Sequence, residues 1–201
     1  MCLNGKAHAV FVVDVGGTYV RVAVVSPEGA ILTRSKNPTP TGVSTAELIE
    51  HIDDVLHSLQ VPAVIEGVVL GIPGIIDATA GRVRRSANLG WVNADVQKIA
   101  RSHWQQPVLI ENDVRLHTLG EMAFGCGRGV YLPWIHVVIG TGIAANLVVG
   151  KNLPDRRFVF GHHGHAKPSV HSIGSQHRPV KMKFFQQFDS KRPRSMRCFM
   201  V

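Results

Sequence analysis

Phe11-Val-Val-Asp-Val-Gly-Gly-Thr-Tyr-Val-Arg-Val-Ala-Val-Val25 is the stretch on which the architecture turns. An apolar, β-branched run over residues 10–15 meets two glycines, and a second such run leaves over residues 19–25. β-branched side chains suit a pleated, half-buried surface, so the pattern predicts two buried strands joined by a very tight turn. Gly16 and Gly17 can take positive φ and carry no Cβ, so the backbone can approach a bulky anion closely. Thr18 adds a hydroxyl at the turn, and Asp14 puts a carboxylate where a hydrated Mg²⁺ can sit. An ordinary core hairpin with a Gly-Gly turn would carry the same signature. An Asp closing a buried apolar run needs a partner or a cation, however, and this favours a phosphate-holding hairpin.

The 201 residues have room for one large domain or two small ones. A hydrophobic fraction of 45% and a mean hydropathy of +0.10 place the chain among globular proteins. The apolar runs at 61–65, 68–72 and 135–139 are far too short to span a bilayer. No signal peptide is read, because the run after Lys6 is brief and contains Asp14. Cys2, Cys126 and Cys198 are odd in number and widely spaced, which suggests no disulfide framework and a cytoplasmic setting. The net charge of +8 is unevenly placed. Residues 1–150 hold 11 Lys and Arg against 12 Asp and Glu, whereas residues 151–201 hold 11 against Asp155 and Asp189. The body is nearly neutral and the last segment supplies the basicity.

Beyond the opening hairpin, Glu28-Gly29 predicts a turn and residues 30–36 a third strand, giving an antiparallel meander. Residues 37–42 read as a loop. Ser44 is placed to cap a helix, with Glu47 completing a capping box and Leu48, Ile49, Ile52, Val55, Leu56 and Leu59 on one face until Pro62. Residues 64–72 form a buried strand that breaks into the rigid loop Gly71-Ile-Pro-Gly74, and Asp77 and Gly81 mark a small turn. Ser86-Ala-Asn-Leu-Gly-Trp91 reads as a loop, and Asn93 or Asp95 can cap a helix reaching about residue 103. A short strand over 107–110 carries Glu111-Asn112-Asp113 at its C-terminal end, followed by a helix over 114–124 with Leu116, Leu119 and Ala123 inward. Open α/β sheets collect ligand groups at the C-terminal ends of their strands, which is the position of Asn112 and Asp113. Asp113 would serve equally as a helix cap there. Gly125-Cys-Gly-Arg-Gly129 is a candidate hinge. Residues 135–139, Gly140-Thr141-Gly142 and a strand to Val149 then repeat the strand, Gly/Thr turn, strand pattern of the opening. Two such hairpins across a cleft could clamp a polyphosphate with backbone N–H groups.

The ordered set Asp14-x-Gly-Gly-Thr18, Gly71-Ile-Pro-Gly74, Asn88-Leu-Gly-Trp91, Glu111-Asn-Asp113 leading to Gly120-Glu121, and Gly140-Thr-Gly142 resembles the ROK family of repressors, open reading frames and sugar kinases. The resemblance covers roughly residues 9–153. It implies an α/β, actin-like or ribonuclease-H-like sugar kinase fold, with a complete N-terminal lobe over 1–125, the start of a second lobe over 126–153, and most of the C-terminal lobe missing. It implies that Asp14, Gly16, Gly17 and Thr18 form one phosphate site and Gly140, Thr141 and Gly142 another. Asp113 matches the catalytic base, and Gly74, Asn88 and Asn112 match sugar-contacting positions. ATP and Mg²⁺ are the implied cofactors, a sugar the implied partner, and a homodimer is implied where the second lobe is present. Two positions depart from the family pattern: Arg115 stands where Asn is usual, and Ala144 and Ala145 follow Ile143 where Gly is usual.

From about Pro154 the character changes. His162, His163, His165, His171 and His177 crowd beside the cations without helical or strand period. The family's E-x-G-H and C-x-C-G-x-x-G-C zinc motifs do not occur in this sequence. The segment 154–201 is expected to be a basic tail left by truncation or a frameshift and not natively folded. A metal site from His162, His163 and His165, or a basic arm for nucleic acid, are the competing readings. The chain is therefore expected to derive from an ATP-dependent, glucose-like hexose kinase with impaired turnover. The alternatives are a sugar-sensing domain of a transcriptional regulator and an inactive fragment.

Overall fold

The computed structural model describes residues 7–59, 61, 63–129, 133–139 and 143–148, with short strands at 160–163, 183–184 and 199–200. The chain divides into two compact units, Met1–Leu116 and His117–Val201.

In the first unit, β1 (Ala7–Val15), β2 (Tyr19–Val25) and β3 (Ile31–Pro38) form the expected meander, each antiparallel to the next. Helix α1 (Thr45–Ser58) carries the chain back so that β4 (Ala63–Ile72) lies parallel to β1. The capping box is formed: Glu47 N–H donates to Ser44 Oγ at 3.3 Å, and Ser44 N–H donates to Glu47 Oε2 at 2.7 Å. That backbone N–H holds the Glu47 carboxyl below the usual glutamate range.

The segment after β4 differs from the expected loops. β5 (Ile75–Asp77), β6 (Arg82–Ser86) and β7 (Trp91–Ala94) make a separate three-stranded antiparallel sheet. These strands are three to five residues long, too short for alternation to show. Polar contacts brace them. Ala80 N–H donates to Asp77 Oδ1 and Arg84 to Asp77 Oδ2, and together they lower the Asp77 pKa. Arg82 donates to Asp95 at 2.6 Å, lowering the Asp95 pKa and raising that of Arg82. Asp95 stands at the N-cap position of α2 (Val96–Trp104) but makes no side-chain capping bond, because Arg82 takes its carboxylate.

β8 (Val108–Asn112) closes a five-stranded sheet in the order β3-β2-β1-β4-β8, with β1, β4 and β8 parallel. One face of this sheet, through Phe11, Val13, Val22, Leu70 and Ile110, packs on Leu48, Ile49 and Ile52 of α1 and on Val96 and Ala100 of α2. Each fully buried aliphatic side chain contributes about 1.5–3 kcal/mol relative to exposure. Asp53 ties the helices together, accepting from Trp104 Nε1 at 2.8 Å and pairing with His103 Nε2 at 3.0 Å.

Helix α3 (Asp113–Phe124) begins in the first unit and continues into the second. Its buried positions are Val114 and Thr118; Leu116 and Leu119 are half-buried, and Ala123 is exposed rather than inward. In the second unit β9 (Trp134–Ile139) and β10 (Ile143–Val148) form an antiparallel hairpin. With β11 (Phe160–His163), β12 (Lys183–Phe184) and β13 (Phe199–Met200) the sheet order is β11-β10-β9-β13-β12. Thr118, His136 and Asn146 form a buried polar cluster in this unit. Asn146 Nδ2 donates to Thr118 Oγ1 at 2.7 Å, and Thr118 Oγ1 lies 2.9 Å from His136 Nδ1.

Candidate active site

The register of the first sheet gathers the expected chemistry along one line. Arg21 pairs across from Asp14, Asp14 from Gly71, and Gly71 from Glu111. The C-terminal ends of the three parallel strands therefore present Asp14, the Gly71–Gly74 segment and Asn112-Asp113 on one rim. This is where parallel strands feed loops and helix N-termini, and where ligands of open α/β sheets sit.

The turn after β1 is tight: Gly16 N–H donates to the Tyr19 carbonyl at 2.9 Å. Thr39 pins it from outside, donating through Oγ1 to the Gly16 carbonyl at 2.7 Å and through its N–H to the Thr18 carbonyl at 3.0 Å. Neither Gly16 nor Gly17 uses positive φ. Glycine is required at 16 by close approach instead, since a Cβ there would stand 2.8 Å from the Tyr19 carbonyl oxygen. Among the described residues, the Gly17 and Thr18 N–H groups have no acceptor. Two backbone donors without an acceptor on an exposed turn are what an anion cradle needs. Asn88, exposed in the turn between β6 and β7, stands over this tip, its Nδ2 3.4 Å from where a Gly17 Cβ would lie.

The second cluster is built around Asn112, which is 6% exposed. Its Nδ2 donates to the Gly74 carbonyl at 3.0 Å and its Oδ1 accepts from Arg115 N–H at 3.0 Å. Asn112 thus caps α3, and Asp113 occupies the first helical position rather than the cap. Gly74 has φ +124° beside the Arg85 backbone, so this bend needs glycine. The buried Glu111 accepts from the Asn112 N–H at 2.9 Å through Oε1 and pairs with Arg115 at 3.3 Å through Oε2. Arg115, the departure from the family pattern, is therefore a strut to the β8 end. Its i, i+4 spacing from Glu111 was legible in the sequence. No local period singles out Arg21, although it and Asp14 flank the turn symmetrically. It donates to Asp14 Oδ2 at 3.1 Å.

Gly140, Thr141 and Gly142 lie outside the described residues, as do His165, His171 and His177. His162 and His163 lie on β11 with side chains outside the description. Among the described residues no three His, Cys, Asp or Glu side chains converge on a metal position. Mg²⁺ in phosphoryl transfer keeps several waters and takes one or two carboxylates plus substrate oxygens, and the half-buried Asp14 beside the Gly16–Thr18 turn is a carboxylate of that kind. Among the described residues no helix is long and apolar enough to cross a membrane.

A family model described as the ROK family matches residues 10–181, extending past residue 153. The glucokinase of Streptomyces coelicolor is 31% identical over 149 residues, spanning 74% of this chain and 45% of that protein. The xylose repressor of Caldicellulosiruptor bescii is 25% identical over 156 residues, spanning 75% and 39%. Among solved structures, a ROK family glucokinase from Streptomyces griseus in complex with glucose and AMPPNP aligns with a TM-score of 0.66 at 28% identity, covering 75% of this chain and 47% of that one. The chain spans about half the length of the curated relatives it matches.

Proposed function

The chain belongs to the ROK family, and from that premise we propose that it is built to transfer the γ-phosphoryl group of ATP to a hydroxyl of a glucose-like hexose. The observation that carries this is the convergence of the Asp14–Thr18 turn, Gly74 and Asn112-Asp113 on one rim of the first sheet. Asp113 is the general base. A sugar hydroxyl is a poor nucleophile, and a carboxylate within hydrogen-bond reach takes its proton as the phosphoryl group departs from ADP. Asn88, Gly74 and Asn112 hold the sugar. Among the described residues the Asn112 side-chain amide donates once and accepts once, which leaves one N–H and one lone pair for a ligand. Gly17 and Thr18 bind phosphate through backbone donors, Gly16 shapes the turn, and Asp14 takes Mg²⁺; the family resemblance gives Gly140, Thr141 and Gly142 a phosphate role of their own. When bound, that ion neutralises charge on the transferring phosphates. An ATP donor implies a cytoplasmic setting.

The test is glucose-dependent ADP release in a coupled assay, run beside glucose and nucleotide binding. We expect weak turnover from this chain, a further loss of about 10²- to 10⁴-fold in Asp113→Asn, and glucose binding retained in that variant. Failure to bind either glucose or ATP would sink the proposal. The likeness to xylose repressors supports a second reading, a sugar-sensing domain. That reading expects sugar binding indifferent to ATP and no ADP release.

A further inference from the structure

Between the last turns of α1 and α2 lies a cavity of about 290 Å³. Ile65 and Val68, which line it, pair with Ala9 near the start of β1 and with Val108, the first residue of β8. The cavity therefore stands towards the N-terminal ends of the parallel strands, away from the rim that carries Asp14 and Asn112-Asp113. Ligand pockets begin at about 300 Å³, so the space suits one small molecule. Leu56, Ile65 and Val68 supply an apolar lining and Trp104 an indole ring. Among the described residues that line the cavity, Asp53 is the one carboxylate, and there is no Lys or Arg. The Asp53 side chain is 20% exposed, so water screens its charge only in part. The helices add to that charge. His57 and His103 stand in the last turns of α1 and α2, where unsatisfied carbonyls form the negative end of each helix.

Asp53 also sets the hydrogen-bonding character of the cavity. Trp104 Nε1 donates to its Oδ1 at 2.8 Å, and His103 Nε2 lies 3.0 Å from its Oδ2. His57 Nδ1 lies 3.5 Å from the same Oδ2 and 2.9 Å from the Asp53 carbonyl oxygen. A neutral imidazole that gives its one N–H away keeps a lone pair on the other nitrogen. His57 Nε2 and His103 Nδ1 are those acceptors, and neither meets a donor among the described residues. We propose that this cavity is a binding site for a small organic cation, an ammonium group carried on an apolar body. The ammonium donates to the imidazole nitrogens beside the Asp53 carboxylate, and the body rests on Leu56, Ile65, Val68 and the Trp104 ring. A neutral ligand of the same shape gains the apolar contact without the charge. An anion meets a carboxylate and two helix C-termini, and is repelled.

The full chain, isotope-labelled for NMR, is titrated with benzylammonium, benzyl alcohol and benzoate at fixed salt and at about pH 8, above the ordinary histidine range. The indole N–H resonance of Trp104, which is bound to Asp53, reports occupancy. Benzylammonium is expected to shift it saturably, benzyl alcohol to bind about tenfold more weakly or worse, and benzoate to leave it unmoved. Asp53→Asn keeps an oxygen for Trp104 but loses the charge. It should weaken benzylammonium by about tenfold and leave benzyl alcohol as in wild type. His57, with its side chain 76% exposed, allows a milder change. His57→Lys sets a cation at a helix C-terminus, which the helix tolerates, so benzylammonium binding should be lost without a lower melting temperature. If Asp53→Asn fails to fold, His57→Lys carries the comparison. No saturable shift with benzylammonium, equal affinity for benzyl alcohol, or benzylammonium binding unchanged in the folded variants overturns the inference.

Discussion

Gly74 concentrates the residue-scale logic of the site. Its φ of +124° lies where side chains are strained, and a Cβ would run into the Arg85 carbonyl oxygen. Gly74→Ala is expected to cost at least about 2 kcal/mol in urea unfolding and, on the proposed reading, to abolish sugar binding, because the backbone must move to admit the methyl group. A smaller loss would show that the loop adapts. Asn112 separates two roles in one side chain. Asn112→Asp keeps the oxygen that caps α3 but loses the donor to Gly74, whereas Asn112→Ala loses both. The alanine variant should be less stable than the aspartate variant by about 1 kcal/mol, the worth of a helix cap, as read from thermal denaturation.

At the scale of elements, α1 shows how a local signal acquires a pH dependence. The Ser44 backbone N–H lowers the Glu47 pKa from its ordinary 4.5. Folding therefore favours the ionised carboxylate, and the gain is present above the unfolded pKa and lost as pH falls through the folded one. Glu47→Gln removes this titration. The melting-temperature advantage of wild type over Glu47→Gln should hold near neutral pH and shrink as pH falls below about 4.5. An advantage unchanged down to pH 3 would mean that the capping box contributes no ionisation-linked stability. The small sheet of β5, β6 and β7 is the contrasting element. Its strands are held by Arg84 on Asp77 and Arg82 on Asp95, partners 7 and 13 residues apart. No periodicity within so short a window announces such pairs.

On the scale of the whole molecule, the division between Leu116 and His117 has an energetic counterpart. Among the described residues, the main buried cluster runs from Ala9 to Ile110 and includes none of β9 or β10. Ile52, at its centre, is 1% exposed. Ile52→Ala should cost about 2–5 kcal/mol. Native-state hydrogen exchange should show the loss of protection in β1, β4 and α1, with a smaller change in β9 and β10. Equal loss in both units would mean that they unfold together.

How much of this was legible beforehand follows from the range of each interaction. The β1–β2 hairpin, the third strand, α1 with its box, and the position of Asn112-Asp113 at a strand end all depend on periods of two or 3.6 and on side chains reaching three or four residues. The sequence alone determined those, and with them the ordered motifs that identify the family. Tertiary structure decided what depends on partners far along the chain. Asn112 reaches back 38 residues to Gly74, Thr39 reaches 23 to Gly16, and the parallel register sets Asp14 against Gly71 and Gly71 against Glu111. It also decided that Gly16 is needed for close approach rather than for positive φ, that Asn112 and not Asp113 caps α3, and that Ala123 faces outward. Local patterns specify which face of an element is apolar, but only packing selects the distant group that its polar atoms must meet.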